Sequence, residues 1–187
     1  MTSPLPSCWI LLDRDGTLNR EVEYLSRPEQ VELLPGVVPA LRRFRELGSR
    51  LIVVTNQSGI ARGYFTLADL ASIHARFEEL LRAEGLEIDL ILACPHGPAD
   101  DCRCRKPRPG MFEEAEARLG AAPAARFMIG DRATDLAFGR AVGARTILVR
   151  TGYGAMAEPE CQDLADHVAT DLISAARWIE QVLGGGR

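Results

Sequence analysis

"CWILLDRDGTLN", Cys8–Asn19, is a short apolar run that ends in two aspartates one residue apart and then turns on a glycine. Aliphatic runs without polar alternation suit strands covered on both faces. Four more follow the same pattern: "RLIVVT" (Arg50–Thr55), "IDLILAC" (Ile88–Cys94), "RFMIG" (Arg126–Gly130) and "RTILVR" (Arg145–Arg150). Helical stretches lie between them. "GVVPALRRFRELG" closes at Gly48, a C-terminal cap. "TLADLASIHARFEELLRAEG" opens on Thr66 with Asp69 three residues on, a capping-box pattern. Its apolar positions Leu70, Ala71, Ile73, Phe77, Leu80 and Leu81 keep the helical period. "PGMFEEAEARLG" and "ATDLAFGRAVG" are two further helices, and "DLISAARWIEQVLGGG" closes the chain, with Asp171 as its N-cap and glycine as its stop. This alternation predicts an α/β, Rossmann-like fold: a parallel sheet, right-handed crossovers and helices on both faces.

In such a sheet the chemistry belongs at the carboxyl ends of the strands. Asp13 ends the first run, Thr55 the second and Cys94 the third, and Asp131 follows the fourth. Two carboxylates delivered by a buried strand are costly unless a cation meets them. Mg2+ takes oxygen ligands and keeps several waters, so a few protein groups suffice. Asp131 supplies a further carboxylate from a neighbouring strand end. Asp135, four residues on, reads equally well as an outer partner of the metal or as the acidic first turn of the next helix. In "VVTNQSGIARG", Thr55, Asn56, Gln57 and Ser58 offer hydroxyl, amide and backbone groups to phosphate oxygens, and Lys106 offers charge. Aspartate, metal, hydroxyl and lysine are the parts that phosphoryl transfer asks for.

The loop "CPHGPADDCRCRKP", Cys94–Pro107, carries three cysteines and a histidine within eleven residues. Cys94, His96, Cys102 and Cys104 make a complete tetrahedral set for structural Zn2+, with no position left for water. Five cysteines, three of them clustered, fit metal binding better than a disulfide framework.

Bulk properties bound the rest. The chain has 187 residues, enough for a single domain spanning 1–187 with a sizeable core. Its net charge of −4 weighs against a general nucleic-acid or acidic-membrane surface. The opening "MTSPLPSCWILLDRDG" lacks a basic region and its apolar run is cut by Asp13, so no signal peptide is expected, nor a membrane span. A cytoplasmic monomer is the expectation, with reduced cysteines.

"DRDGT", "VVTNQ", "RKP" and "GDRATD", in this order and spacing, resemble the four motifs of the haloacid dehalogenase (HAD) superfamily of phosphatases. The likeness covers most of the chain. It implies a HAD-type fold in which Asp13 is the nucleophile that forms an aspartyl-phosphate, and Asp15 the general acid and then base. It further implies that Thr55 and Lys106 steady the phosphoryl group, and that Mg2+ is held by Asp13, Asp131 and the backbone carbonyl of Asp15. The zinc loop before "CRKP" is similar to the subgroup holding the heptose-1,7-bisphosphate and histidinol-phosphate phosphatases. "TNQSGIARGYF" and "YLSRPEQVELLPGV" resemble the former, in which positions matching Glu21 to Tyr24 and Thr55 to Ser58 line the sugar site; the compact zinc loop and "IGDRATDL" resemble the latter as well. The resemblance therefore implies release of the 7-phosphate of D-glycero-D-manno-heptose 1,7-bisphosphate, with histidinol phosphate, an amino-alcohol ester, as the alternative. Arg132 of "GDRATD" joins the expected substrate-binding residues. Zinc is expected to aim Arg105 and Lys106 at the substrate phosphates. The short segments Thr66–Glu84 and Leu86–Arg108 leave no room for a large cap domain.

Arg62, flanked by glycines in "GIARG", reads either as a grip on a second phosphate or as a solvated loop residue. His74 falls in the apolar stripe of its helix as a core-boundary residue, and His167 has no visible partner. Cys8 and Cys161 read as plain residues, and Trp9 and Trp178 as packing residues. A non-enzymatic phosphate-binding module does not need Asp15 beside Asp13. A polynucleotide 3′-phosphatase calls for aromatic residues among its basic ones, which this chain lacks.

Overall fold

The computed structural model describes residues 8–185. The first seven residues, on which much of the signal-peptide reading rests, and Gly186 of the terminal glycine run lie outside them. Six parallel strands form one sheet: β1 (Trp9–Leu12), β2 (Arg50–Asn56), β3 (Leu90–Cys94), β4 (Arg126–Gly130), β5 (Arg145–Val149) and β6 (His167–Ala169), in the order β3-β2-β1-β4-β5-β6. The helices are α1 (Val37–Glu46), α2 (Leu67–Ala83), α3 (Gly110–Leu119), α4 (Ala133–Ala141), α5 (Gly154–Cys161) and α6 (Leu172–Gly184).

β1 is paired on both sides, in register with Arg50–Val53 of β2 and Arg126–Ile129 of β4. That central place is why "WILL" is apolar at every position and buried throughout. Its side chains alternate between two cores. Ile10 and Leu12 pack with Val53, Ile129 and residues of α1, α2 and α6. Trp9 and Leu11 pack with Ile52, Val54, Met128 and residues of α3 and α4. Helices thus cover both faces. Each fully buried side chain of this kind contributes roughly 1.5–3 kcal/mol of transfer free energy.

The helix ends follow local rules. The Thr66 hydroxyl accepts from Asp69 N–H at 3.1 Å while Thr66 N–H donates to the Asp69 carboxylate at 2.8 Å, closing the capping box of α2. Gly48, with φ of 69°, takes the left-handed position after α1. Asp171 accepts from Ser174 N–H at 2.8 Å and starts α6. α6 runs through Gly184 and is capped by Gly185, so the terminal glycines stop it one residue later than a stop at the first glycine.

The chain departs from the expectation of five strands and five helices. β6 has three residues, too few to show a period, and α5, "GAMAEPEC", contains Pro159 and has no apolar stripe. His167 has a partner: its ring stacks on Trp178, with centroids 4.8 Å apart and planes 3° apart, which pins β6 to α6. Among the described residues no helix is long and apolar enough to cross a membrane.

Strands run outward from β1 through β2 to β3, and the chain then returns to the other flank of β1 as β4. The direction of winding reverses there, and a crevice opens at the carboxyl ends of β1 and β4.

Candidate active site

Asp13 leaves β1 with its N–H donating to the Ile129 carbonyl at 2.9 Å, which fastens it beside β4. The chain then turns sharply. The Arg14 carbonyl accepts from the N–H groups of Thr17, Leu18 and Asn19, and Gly16 takes φ of 78°. A Cβ at Gly16 would stand 2.2 Å from Asp131 Oδ2, and one at Gly152 would meet the same atom at 2.2 Å. The two glycines therefore make the space into which Asp131, one residue past β4, projects. Asp131 Oδ2 accepts from Tyr153 N–H at 2.8 Å, while its Oδ1 is buried with no protein partner.

Lys106 enters the crevice from the far side. Its ammonium has three donors, and three acceptors surround it: Asp13 Oδ1 at 2.6 Å, the Val54 carbonyl at 2.7 Å and Asp135 Oδ1 at 2.6 Å. Its backbone is clamped by the Asn56 amide, which accepts at 3.0 Å and donates at 3.2 Å. Asn56, expected to meet substrate, thus uses its side chain to hold the lysine. Asp135 does two things at once: its Oδ2 accepts from Arg132 N–H at 3.0 Å, closing the first turn of α4, and its Oδ1 meets Lys106.

Carboxylate oxygens of Asp13, Asp131 and Asp135 lie within 4.8 Å of one another, all on buried residues. One ammonium faces three acids, so a negative excess is left in a place of low dielectric. Burial pushes Asp13 well above the usual carboxylate range, Lys106 pulls it down, and Asp135, Asp131 and Asp15 push it up again. Burial and Asp135 raise Asp131 to about 7. Burial opposes the charge on Lys106, but Asp13 and Asp135 outweigh it and keep the ammonium protonated. The donor set, the orphaned Asp131 oxygen and the uncompensated charge fit a hard divalent cation. The Asp15 carboxylate is not in this cluster, which leaves its backbone carbonyl as the group it has to offer a metal.

Asp15 is held separately. Arg14 donates to it from Nε at 3.1 Å and from Nη2 at 2.8 and 3.0 Å, Asn19 Nδ2 at 2.9 Å and Gln57 Nε2 at 2.9 Å. Burial would raise its pKa, but the Arg14 charge and these hydrogen bonds outweigh burial and hold it below the usual range. Gln57 Nε2 also donates to Thr55 Oγ1 at 2.8 Å, so the expected phosphate-steadying hydroxyl sits beside the acid.

A cavity of about 680 Å³ opens above Asp13, Asp15, Thr55 and Lys106. Glu21, Tyr24, Asn56, Gln57, Ser58, Arg62, Arg105 and Arg132 all line it. The Arg132 guanidinium lies 4.0 Å over the Tyr153 ring and 3.7 Å from Glu21. Burial and Asp15 push Glu21 up to about 7, against the pull of Arg132. Arg105 donates to the His96 carbonyl at 3.0 Å.

The cysteine loop begins where β3 ends. Cys94 Sγ is 3.7 Å from His96 Nδ1, 3.7 Å from Cys102 Sγ and 3.2 Å from Cys104 Sγ, and His96 Nδ1 is 3.3 Å from Cys104 Sγ. Bonds of about 2.3 Å to a central Zn2+ place tetrahedral sulfur atoms about 3.8 Å apart. The Cys94–Cys102 spacing matches that value and Cys104 sits somewhat closer in, so the set fits such an ion. Burial raises the Cys94 thiol to about 12, a cost that a metal removes by holding the thiolate.

Residues 103–175 match the HAD-hydrolase-like family. The chain is 38% identical over 188 residues to the D-glycero-β-D-manno-heptose-1,7-bisphosphate 7-phosphatase of Yersinia pestis, covering 96% of this chain and 98% of that protein. The chain belongs to the heptose-bisphosphate phosphatase family of HAD-like hydrolases. The Pseudomonas aeruginosa member is 42% identical over 146 residues, 78% of this chain and 82% of that protein. A D,D-heptose 1,7-bisphosphate phosphatase from B. bronchiseptica, solved with magnesium and phosphate, superposes with a TM-score of 0.86 at 35% identity, covering 94% of this chain and 99% of that one.

Around the candidate site, sequence reasoning missed Arg14, Asn19 and Tyr153. Arg14 lies in the turn that follows β1 on the way to α1, and nothing in its residue type announces that this turn is buried. Asn19 lies four residues past the acid it contacts. Tyr153 reaches Asp131 through backbone, which no residue type announces.

Proposed function

We propose that the protein is a Mg2+-dependent phosphatase that removes the 7-phosphate of D-glycero-D-manno-heptose 1,7-bisphosphate through an aspartyl-phosphate on Asp13. The observation that carries the chemistry is the meeting of Asp13, Lys106, Asp131 and Asp135 beside an acid, Asp15, at the switch point of the sheet. The substrate reading rests on the relatives, among them the P. aeruginosa and Y. pestis enzymes. Three arginines, Arg62, Arg105 and Arg132, line the same cavity as Asp13 and supply charge for a second phosphate.

In the first step the negative charge of the entering phosphoryl group favours protonation of Asp15, an Asp13 oxygen attacks phosphorus, the bond from phosphorus to the leaving oxygen breaks, and Asp15 gives that oxygen its proton. In the second, Asp15 takes a proton from water as water attacks phosphorus, the Asp13–phosphorus bond breaks, and inorganic phosphate leaves. Lys106 and Thr55 hold phosphoryl oxygens throughout. Asp13, Asp131 and the Asp15 backbone carbonyl, with Asp135 beside them, would hold Mg2+, which would supply positive charge to a phosphoryl oxygen. Cys94, His96, Cys102 and Cys104 would hold Zn2+, which would fix the shape of the loop that carries Arg105 and Lys106. The protein works as one domain, a cytoplasmic monomer that acts on a small phosphorylated sugar and not on nucleic acid or membrane.

The test is phosphate release with Mg2+ from heptose 1,7-bisphosphate and from histidinol phosphate, with Asp13→Asn as the blank. The expected result is a kcat/KM for the bisphosphate higher by orders of magnitude. Preference for histidinol phosphate overturns the substrate, and no release from either above the blank overturns the assignment to this substrate subgroup.

A further inference from the structure

Arg14 is 1% exposed, yet it is charged and has no place in the chemistry described above. A guanidinium is retained in such a site when a carboxylate meets it. The carboxylate here is that of Asp15, its own neighbour in the chain. Adjacent residues of a strand point to opposite faces. These two side chains meet because the chain leaves β1 into the turn that the Arg14 carbonyl organises.

The contact is a fork. Arg14 Nε and Nη2 reach Asp15 Oδ1 at 3.1 and 3.0 Å, and Nη2 reaches Oδ2 at 2.8 Å. A planar guanidinium against a planar carboxylate fixes both the position and the tilt of the carboxylate, which a lysine in that place does not do. The other donors are neutral and come from separate elements. Asn19 holds Oδ1 from the following turn, and Gln57 holds Oδ2 from the end of β2 while also donating to Thr55. Gln57 lines the cavity, whereas Arg14 does not. An entering substrate therefore meets Gln57 and is able to take its place, while the fork behind Asp15 stays closed.

We propose that Arg14 is a positioning residue, whose fork holds the Asp15 carboxyl so that Oδ2 faces the leaving oxygen of a bound phosphate ester. The proposal rests on the reading of Asp15 as the acid of a phosphoryl-transfer step. It separates two kinds of substrate. An alkyl phosphate needs a proton on its leaving oxygen as the phosphorus–oxygen bond breaks. A nitrophenyl phosphate does not, because its phenolate leaves without one. kcat/KM is the quantity to compare, because it covers the steps up to departure of the leaving group and is blind to later hydrolysis on the enzyme.

The experiment uses the full chain with Mg2+ and two variants, Arg14→Lys and Arg14→Met, each checked by circular dichroism and melting. Lys keeps the charge and the stem, so it serves as the variant that folds if Met does not. The expected result is a loss of about 10–100-fold in kcat/KM on an alkyl phosphate, against no more than about 3-fold on p-nitrophenyl phosphate, a share of what general acid catalysis supplies. Equal losses on both substrates mean a structural role and overturn the proposal, as does a variant that keeps full activity on the alkyl ester. Failure of the unaltered protein to release phosphate from either substrate overturns the phosphatase reading, and the positioning role with it.

Discussion

Lys106 Nζ lies 2.6 Å from Asp13 Oδ1, joining two residues that are 93 positions apart in the chain. The same ammonium meets Asp135 at 2.6 Å, so it is the one protein cation that the buried carboxylate cluster contacts among the described residues. Lys106→Met keeps the stem and removes the charge. The remaining acids are then buried without their partner, and breaking a buried pair in this way costs about 3–5 kcal/mol. Urea unfolding without divalent cation checks that figure, and phosphate release is expected to fall to the level of the Asp13→Asn blank. Unchanged stability would mean that Asp13 and Asp135 take up protons when the lysine is lost.

The cysteine loop makes a separate prediction. Cys102→Ser removes one soft ligand from a set whose four atoms already lie within 4.8 Å of one another. One Zn2+ per chain is expected in the unaltered protein, and a fraction of that in the variant, by elemental analysis of dialysed samples. Activity is expected to fall with zinc content, since Lys106 follows Cys104 by two residues. Full activity in zinc-free protein would detach the loop from catalysis.

Arg132 carries the third prediction. It lies over the Tyr153 ring and near Glu21, at the wall of the cavity. A charge-assisted hydrogen bond to phosphate is worth roughly 1.5–3 kcal/mol. Arg132→Met is therefore expected to lower kcat/KM for the bisphosphate by about 10–100-fold, while a monophosphate ester without the second group loses no more than about 3-fold. Equal losses on the two would place Arg132 at the reacting phosphate instead.

Much of the fold was legible because buried parallel strands carry a loud signal. "WILL", "LIVV" and "FMI" have no polar alternation, and each delivers its polar residue where the pairing ends. The glycine of "DRDG" was legible as a turn, but its tighter reason, the 2.2 Å that a Cβ would leave to Asp131, depends on a residue 115 positions away. β6 and α5 were not legible, since three residues and a short helix that contains Pro159 and has no apolar stripe show no period. The stack of His167 on Trp178 and the clamp of Asn56 on Lys106 are products of tertiary packing, and nothing local marks them. Arg14 was overlooked because a charged residue in a turn is ordinarily solvated, and here the turn is buried.

His74 carries the last prediction, one of stability and not of rate. It sits on α2 between Ile73 and Phe77, half-buried, with Nε2 buried and lacking a protein partner. Burial and, after it, the nearby Arg14 charge lower its pKa to about 4, against the opposing pull of Asp15. An unfolded histidine titrates near about 6.5. Between those values the unfolded chain binds a proton that the folded chain refuses, so stability contributed at His74 is fully present above about pH 6.5 and is lost as pH falls toward 4. The loss amounts to about 2 kcal/mol between pH 7 and pH 5. His74→Leu fits the apolar stripe and has no such titration. Urea unfolding of both proteins at the two pH values is expected to show a difference between them that moves by about 2 kcal/mol in favour of the variant at pH 5. A difference independent of pH would mean that the folded protein accommodates the imidazolium, with an acceptor brought to Nε2 by rearrangement of the Arg14–Asp15 pair.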